Sequence, residues 1–398
     1  MIKHIKASNL LSFGPDGLDL ELRNLNVLIG ANGSGKSNFL ELLDLIRATP
    51  SSDSLAPIRL GGGISEWIWK GASERSKIFL EVLINGDRGK NNPSWRQAQS
   101  FRHHLSWYSS QDKFQLSDER VENERPFGGH NDVIFYYRYL NGRPMVNIND
   151  PERKSRELSR DTVNPEVSIL SQRRDPENYP ELSYLANTYE AIKLYREWSF
   201  GRKSKYRNSQ PADQRNDRLE QDFSNLGMFL SRLRTIPSVK RSIINALKDL
   251  YEGFSDFDIL TTGGSVQIIF TEGDYSIPAT RLSDGTLRYL CLLAILLDPT
   301  PPPLICIEEP ELGLHPDVIP KIADLLVDAS KRTQLVVTTH SDMLIDALSE
   351  QPESVLVCEK EEGQTYIKRL NQSDLAHWLK DYRLGALWLS GEIGGKRW

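Results

Sequence analysis

The sequence predicts an α/β fold with an antiparallel β subdomain and a helical insertion, and three observations carry that expectation. An apolar run, Leu25 to Ile29, leads through a glycine-rich loop into the helical pattern Phe39 to Ile46. Short alternating segments separated by turn residues fill the stretch from about Lys77 to Ile148. From Leu282 onward, helical and strand-like patterns alternate again, as they do in α/β proteins.

The chain of 398 residues is 39% hydrophobic and 26% charged, the balance of a soluble globular protein with real hydrophobic cores. No apolar run approaches the ~20 residues that span a bilayer. Met1-Ile2-Lys3-His4 opens straight into a strand-like segment and lacks the apolar core of a signal peptide. A cytoplasmic protein with no membrane contact is therefore expected. A formal net charge of -5 excludes a general polycation that coats nucleic acid, while a local basic surface stays open. Cys291, Cys306 and Cys358 lie in apolar runs with no pair at metal-ligand spacing, so buried reduced thiols are expected.

Residues 1–76 form the first part of the core, in which Ile2 to Asn9 and Leu18 to Leu22 flank the turn Gly14-Pro15-Asp16-Gly17. Residues 77–150 hold the antiparallel β subdomain. There Ile78 to Ile84, Phe114 to Val121, Val133 to Tyr139 and Met145 to Ile148 read as strands, and Asn141-Gly142 is a hairpin signal. Residues 151–260 are mainly a helical insertion: Phe223, Leu226, Leu230 and Leu233 share one helix face, as do Ile243, Leu247 and Leu250. No heptad pattern persists, which excludes a long coiled coil. Residues 261–398 return to the core.

The chemistry starts at Gly30-Ala31-Asn32-Gly33-Ser34-Gly35-Lys36-Ser37, which fits G-x-x-x-x-G-K-[ST] without a mismatch. The glycines let the backbone wrap so that its N–H groups face phosphate oxygens. Lys36 adds positive charge, Ser37 offers a hydroxyl to Mg²⁺, and the following helix presents its positive end to the anion. The bland alternative is a glycine-rich turn that binds nothing. Placement between a strand and an amphipathic helix favours a nucleotide.

Leu304-Ile305-Cys306-Ile307-Glu308-Glu309 is an apolar strand ending in two carboxylates. At such a strand end beside a phosphate loop, Glu308 is the candidate metal carboxylate and Glu309 the candidate that orients the attacking water. Acidic pairs also cap strands or bind a nearby lysine. The phosphate loop tips the balance toward catalysis. Leu282-Ser283-Asp284-Gly285-Thr286 precedes an apolar helix, so Ser283 and the Gly285 backbone form either a second anion site or an ordinary helix cap. Gln334 to Thr339 reads as a strand ending at His340, a candidate for contact with the terminal phosphate or the water.

These residues resemble the ABC-type ATPase superfamily, in its RecF/SMC-like branch of stand-alone ATPases, the AAA_21 type. The loop wording from Gly30 to Asn38 is similar to that branch, and Ile307 to Pro316 also looks like the OLD-family ATPases. The resemblance covers roughly residues 1 to 50 and 280 to 398. It implies a P-loop NTPase core of ABC/SMC type that binds ATP and Mg²⁺, with Asn38 among the loop residues. It makes Ser283 to Thr286 the ABC signature, with Asp284 where many members have Gly. His340 becomes the switch histidine, and Leu312 to His315 the loop that crosses a dimer interface. Glu308 stands where most such ATPases carry Asp. Gln172 is the candidate Q-loop glutamine.

In that superfamily the signature of one subunit completes the site holding ATP on the other. One loop and one signature per chain therefore imply a homodimer, or a higher oligomer, closed through its ATP sites. Three contexts fit such a motor. The first is a regulatory ATPase of a prokaryotic anti-phage system, acting with a separate effector such as a nuclease. The second is a RecF-like repair ATPase that clamps DNA. The third, a transporter motor, suits the large inserts poorly. Arg202, Lys203, Lys205, Arg207, Arg215 and Arg218 form a basic stretch that either tracks phosphates or is a solvated loop diluted by Asp213, Asp217 and Glu220. In the tail from Trp378 to Trp398, Leu384, Leu387 and Trp388 have helical spacing that turns Trp388 inward.

Overall fold

The computed structural model describes residues 1–73, 76–86, 100–110, 113–126, 132–140, 142–148, 155–199 and 201–395. Asn141 of the hairpin signal and Trp398 of the tail lie outside them. The chain opens with an antiparallel hairpin of β1 (Ile2–Ser8) and β2 (Leu18–Glu21), then enters β3 (Leu25–Ile29), whose five residues are all buried. The phosphate loop follows and leads into α1 (Lys36–Ala48). Two short helices, α2 (Ala56–Leu60) and α3 (Ile64–Trp67), precede six strands: β4 (Ile78–Ile84), β5 (Phe101–Ser110), β6 (Lys113–Asn123), β7 (Phe135–Leu140), β8 (Arg143–Asn147) and β9 (Ser155–Glu157).

Those strands form an eight-stranded sheet in the order β2-β1-β4-β5-β6-β7-β8-β9. The antiparallel sheet therefore begins with the first two strands of the chain, not at residue 77. In β4 the strict alternation buries Ile78, Leu80, Val82 and Ile84, the pattern of a strand with one face on a core.

Next come α4 (Ile169–Gln172), α5 (Pro180–Glu190), β10 (Lys193–Tyr195), β11 (Gln210–Pro211), α6 (Leu226–Arg234) and α7 (Pro237–Leu250). The predicted helix faces are the buried ones: Leu226, Leu230 and Leu233 in α6, Ile243 and Leu247 in α7. This region is not purely helical. Strands β12 (Phe254–Thr262), β13 (Ser265–Glu272) and β14 (Tyr275–Pro278) follow and join β11 in a four-stranded antiparallel sheet. Burial alternates along β13, but the apolar run Ile268-Ile269-Phe270 breaks the alternation of residue types in the sequence.

The last third supplies α8 (Asp284–Leu296), β15 (Leu304–Glu308), α9 (Ile319–Ala329), β16 (Gln334–Thr338), α10 (Asp342–Ala347), β17 (Val355–Glu361), β18 (Gln364–Arg369), α11 (Gln372–Leu375) and α12 (Leu384–Ser390). The central sheet runs β10-β15-β16-β3-β17-β18, parallel except for the β17–β18 hairpin. Both faces are covered. Val27, Ile305, Val337 and Val357 point to a core shared with α6 to α9, while Leu28, Cys306, Val336 and Leu356 point to one shared with α1, α5 and the antiparallel sheet. This two-sided burial explains why the central strands read as continuous apolar runs. The three cysteines are free and buried, and burial raises each thiol, Cys358 to about 12.

Candidate nucleotide site

The parallel register β15–β16–β3–β17 brings the ends of these strands to one edge of the sheet. There a cleft of about 350 Å³ is lined by the loop residues Asn32, Gly33, Gly35, Lys36, Ser37 and Asn38, and by Glu308, Glu309, Thr338, His340 and Lys360. The loop is held from behind by the β17–β18 hairpin. Gly30 and Gly35 have positive φ values of 148° and 101°, and a side chain at Gly30 would collide with the Cys358 carbonyl, one at Gly35 with Thr365. Thr365 Oγ1 also donates to Ser34 O at 3.0 Å.

The Lys36 side chain is buried and folds back on its own loop, donating to Gly30 O at 2.8 Å and Ala31 O at 3.0 Å. Burial lowers its pKa, against the pull of nearby Glu309 and Glu308. Ser34 Oγ and Thr338 Oγ1 are buried without a hydrogen-bond partner, which leaves two polar atoms at the loop and at the cleft wall for a polar ligand. Asn38 lines the cleft while its Nδ2 donates to Ser12 Oγ at 2.7 Å.

Ser37 Oγ donates to Glu308 Oε1 at 2.8 Å, so the two candidate metal residues already meet. Both present hard oxygen atoms, the donor type that suits Mg²⁺. Glu309 adopts a left-handed backbone, φ 46°, fixed because its N–H donates to Thr338 O at 2.9 Å and its carbonyl accepts from Arg288 at 2.5 Å. His340 Nε2 lies 3.6 Å from Glu309 Oε1. Loop, acid pair and histidine thus come together as the sequence suggests.

The signature does not join them. Ser283 Oγ caps α8 by accepting from Thr286 N at 3.0 Å, and neither Ser283 nor Gly285 lines the cleft. The Gly313 carbonyl sits 3.0 Å from where a Cβ on Gly285 would stand, so the loop Leu312 to His315 packs on the start of α8. Asp284 accepts from Gly201 N–H and pairs with Arg207.

Gln172 is corrected. Its amide donates to the carbonyls of Asn164 and Val167, and it lines no part of the cleft. The strand beside β15 is β10, and the residue after it, Arg196, donates through Nε to Glu308 Oε2 at 3.0 Å. Sequence reasoning missed Arg196 and also Lys360, since only strand pairing carries them to the acids and the loop. Glu311 was part of the acidic run, but its contacts to Thr339 and His340 were not foreseen. Trp198 Nε1 donates to Glu308 O at 2.8 Å, and Arg288 stacks on its ring at 4.1 Å. Burial lowers the Arg288 guanidinium to about 10.

The basic stretch is largely neutralised within the chain. Arg207 is buried against Asp284 and the Leu282 carbonyl, Lys205 pairs with Asp222, and Arg215 with Asp217.

A strand-edge phosphate loop facing an acidic pair defines the class: a P-loop ATPase of the ABC/SMC type. The chain belongs to the AAA_21 family, described as "AAA domain, putative AbiEii toxin, Type IV TA system", whose model matches residues 25–346. No curated protein matches the sequence. Among solved structures, it is similar to an Smc head bound to the C-winged helix domain of ScpA, at 15% identity and a TM-score of 0.56, covering 94% of this chain and 99% of that one. An Smc head with an extended coiled coil from Pyrococcus furiosus, bound to the C-terminal domain of ScpA, matches at 13% identity and a TM-score of 0.55, covering 96% and 98%. The Smc head from Pyrococcus yayanosii matches at 12% identity and a TM-score of 0.50, covering 96% and 99%. The shared fold is that of SMC heads. Among the described residues, no helix is long and apolar enough to cross a membrane.

Proposed function

We propose that the chain hydrolyses ATP between two copies of itself and uses the resulting closure to regulate a separate effector protein in prokaryotic anti-phage defence. One observation carries the reading: Ser283 is exposed at the start of α8, away from the cleft that collects Lys36, Glu309 and His340. A second copy placed head to tail would present its Ser283 and Gly285 to the phosphates held by the first.

The chain's own groups account for each task. Lys36 trades two neutral backbone carbonyls for anionic phosphate oxygens, so that both donor and acceptor are charged and the bonds are stronger than those they replace. Glu309, 3.6 Å from His340, accepts a proton of the attacking water and aims its lone pair at the terminal phosphorus. Ser37 and Glu308 would hold Mg²⁺, which when bound neutralises charge on the triphosphate oxygens. Glu311 holds the His340 backbone in place.

The defence context rests on the family description, which names a toxin of a type IV toxin–antitoxin system. Two of the similar Smc heads carry a domain of another protein, ScpA, which supports a partner separate from the ATPase. The RecF-like DNA clamp is the second reading, favoured by the likeness to SMC heads. The internal pairing of Lys205, Arg207 and Arg215 argues against the basic stretch as its DNA surface. Purification of the Glu309→Gln chain with ATP tests the choice. A dimer that copurifies with a second protein and ignores duplex DNA supports the regulator; salt-sensitive DNA binding without a partner supports the clamp.

A further inference from the structure

The parallel pairing of β10 with β15 sets Tyr195 opposite Ile307, so Arg196, the first residue after β10, and Glu308, the last of β15, stand side by side. Arg196 Nε donates to Glu308 Oε2 at 3.0 Å, and Ser37 Oγ donates to Oε1 at 2.8 Å. Both oxygens of the carboxylate are therefore engaged. The guanidinium is also 3.8 Å from Glu41 Oε1.

Cations flank the acids. Arg196 faces Glu308 and Glu41, Lys36 lies near enough to Glu309 and Glu308 to feel both charges, and Lys360 lines the same cleft. A bare dication arriving at Ser37 and Glu308 would meet a carboxylate already paired with a guanidinium, and like charges a few ångströms apart repel. ATP reverses this, because its triphosphate brings an excess of negative charge to the same place. A glutamate at Glu308 also has one more rotatable bond than an aspartate, and the guanidinium fixes the carboxylate that this bond would otherwise let swing.

We propose that Arg196 is a charge-setting and positioning residue that acts through Glu308, so that a divalent cation enters the site only together with the triphosphate. The inference rests on the reading of Ser37 and Glu308 as the metal residues. It assigns to Arg196 a coupling between metal and nucleotide, and that coupling must be reciprocal: whatever factor ATP adds to metal affinity, metal adds to ATP affinity.

The test uses the full chain and Mn²⁺, a paramagnetic stand-in for Mg²⁺ read by electron paramagnetic resonance. Binding is measured without nucleotide and with ATP. Arg196→Gln is expected to bind bare Mn²⁺ about tenfold more tightly than wild type, and ATP should then enhance metal binding by a correspondingly smaller factor. Arg196→Lys, which keeps the charge, should bind bare Mn²⁺ as weakly as wild type. ATP binding in EDTA by each variant reports an intact phosphate loop. Equal bare-metal affinity in wild type and Arg196→Gln, with both still binding Mn²⁺ in the presence of ATP, overturns the inference alone. Glu308→Gln separates the two claims: if it binds Mn²⁺ with ATP as well as wild type does, the metal reading of Glu308 fails, and the inference fails with it.

Discussion

The backbone N–H of His340 donates to Glu311 Oε1 at 2.9 Å, and Thr339 Oγ1 donates to the same oxygen at 2.7 Å. One carboxylate thus ties the end of β16 to the loop after β15 and sets the spacing between Glu309 and His340. Burial raises the Glu311 carboxyl above its ordinary value. A folded state that holds this proton more readily than the unfolded chain loses stability as pH rises through the raised pKa. Glu311→Gln keeps the acceptor oxygen and removes the charge. The melting temperature of the variant, relative to wild type, should increase from about pH 5 to about pH 8. A difference that stays flat or declines over that range would contradict the assignment.

Glu309→Gln preserves shape and removes the base. It should bind ATP as wild type does and release phosphate roughly 10²–10⁴-fold more slowly. Steady-state phosphate release beside equilibrium nucleotide binding checks both halves, and full turnover would remove Glu309 from its role.

A site shared between two chains makes a sharper demand. Lys36→Ala and Ser283→Arg should each be inactive alone. A mixture of the two should regain activity, because the mixed dimer pairs an intact Lys36 loop with an intact Ser283 from the other chain. Ser283 is exposed, so the arginine has room in the monomer. No recovery on mixing would argue that each site is built within one chain.

Trp388 is 2% exposed and its Nε1 donates to Gly395 O at 3.0 Å, as the helical spacing of Leu384, Leu387 and Trp388 suggests. Gly395 in turn packs beside the Gly30 backbone. Trp388→Ala should destabilise the chain by about 3–5 kcal/mol, read from denaturant unfolding. A loss below about 1 kcal/mol would show that the tail packs elsewhere.

Much of the site was legible because its chemistry is local in the chain. The loop from Gly30 to Ser37 carries its own backbone requirements, and Glu308 and Glu309 end an apolar strand that both cores bury. The rest depends on pairing across the chain. Arg196 reaches Glu308 only because a three-residue strand joins the outer side of β15, and three residues give no periodicity to read. Lys360 reaches the cleft through β17, where it looks like an ordinary exposed charge. The antiparallel strands were recognised where alternation was clean, as in β4, and missed in β5 and β12. Gln172 has the residue type of a Q-loop glutamine, but its amide serves a local turn.

Equilibrium binding of Mg-ATP to the wild-type chain and to Lys36→Ala asks most directly whether this loop holds a triphosphate. Loss of the Lys36 contacts, at about 1.5–3 kcal/mol for bonds to a charged group, should weaken binding roughly 10- to 150-fold. Equal affinity in the two proteins, or none in the wild type, would contradict it.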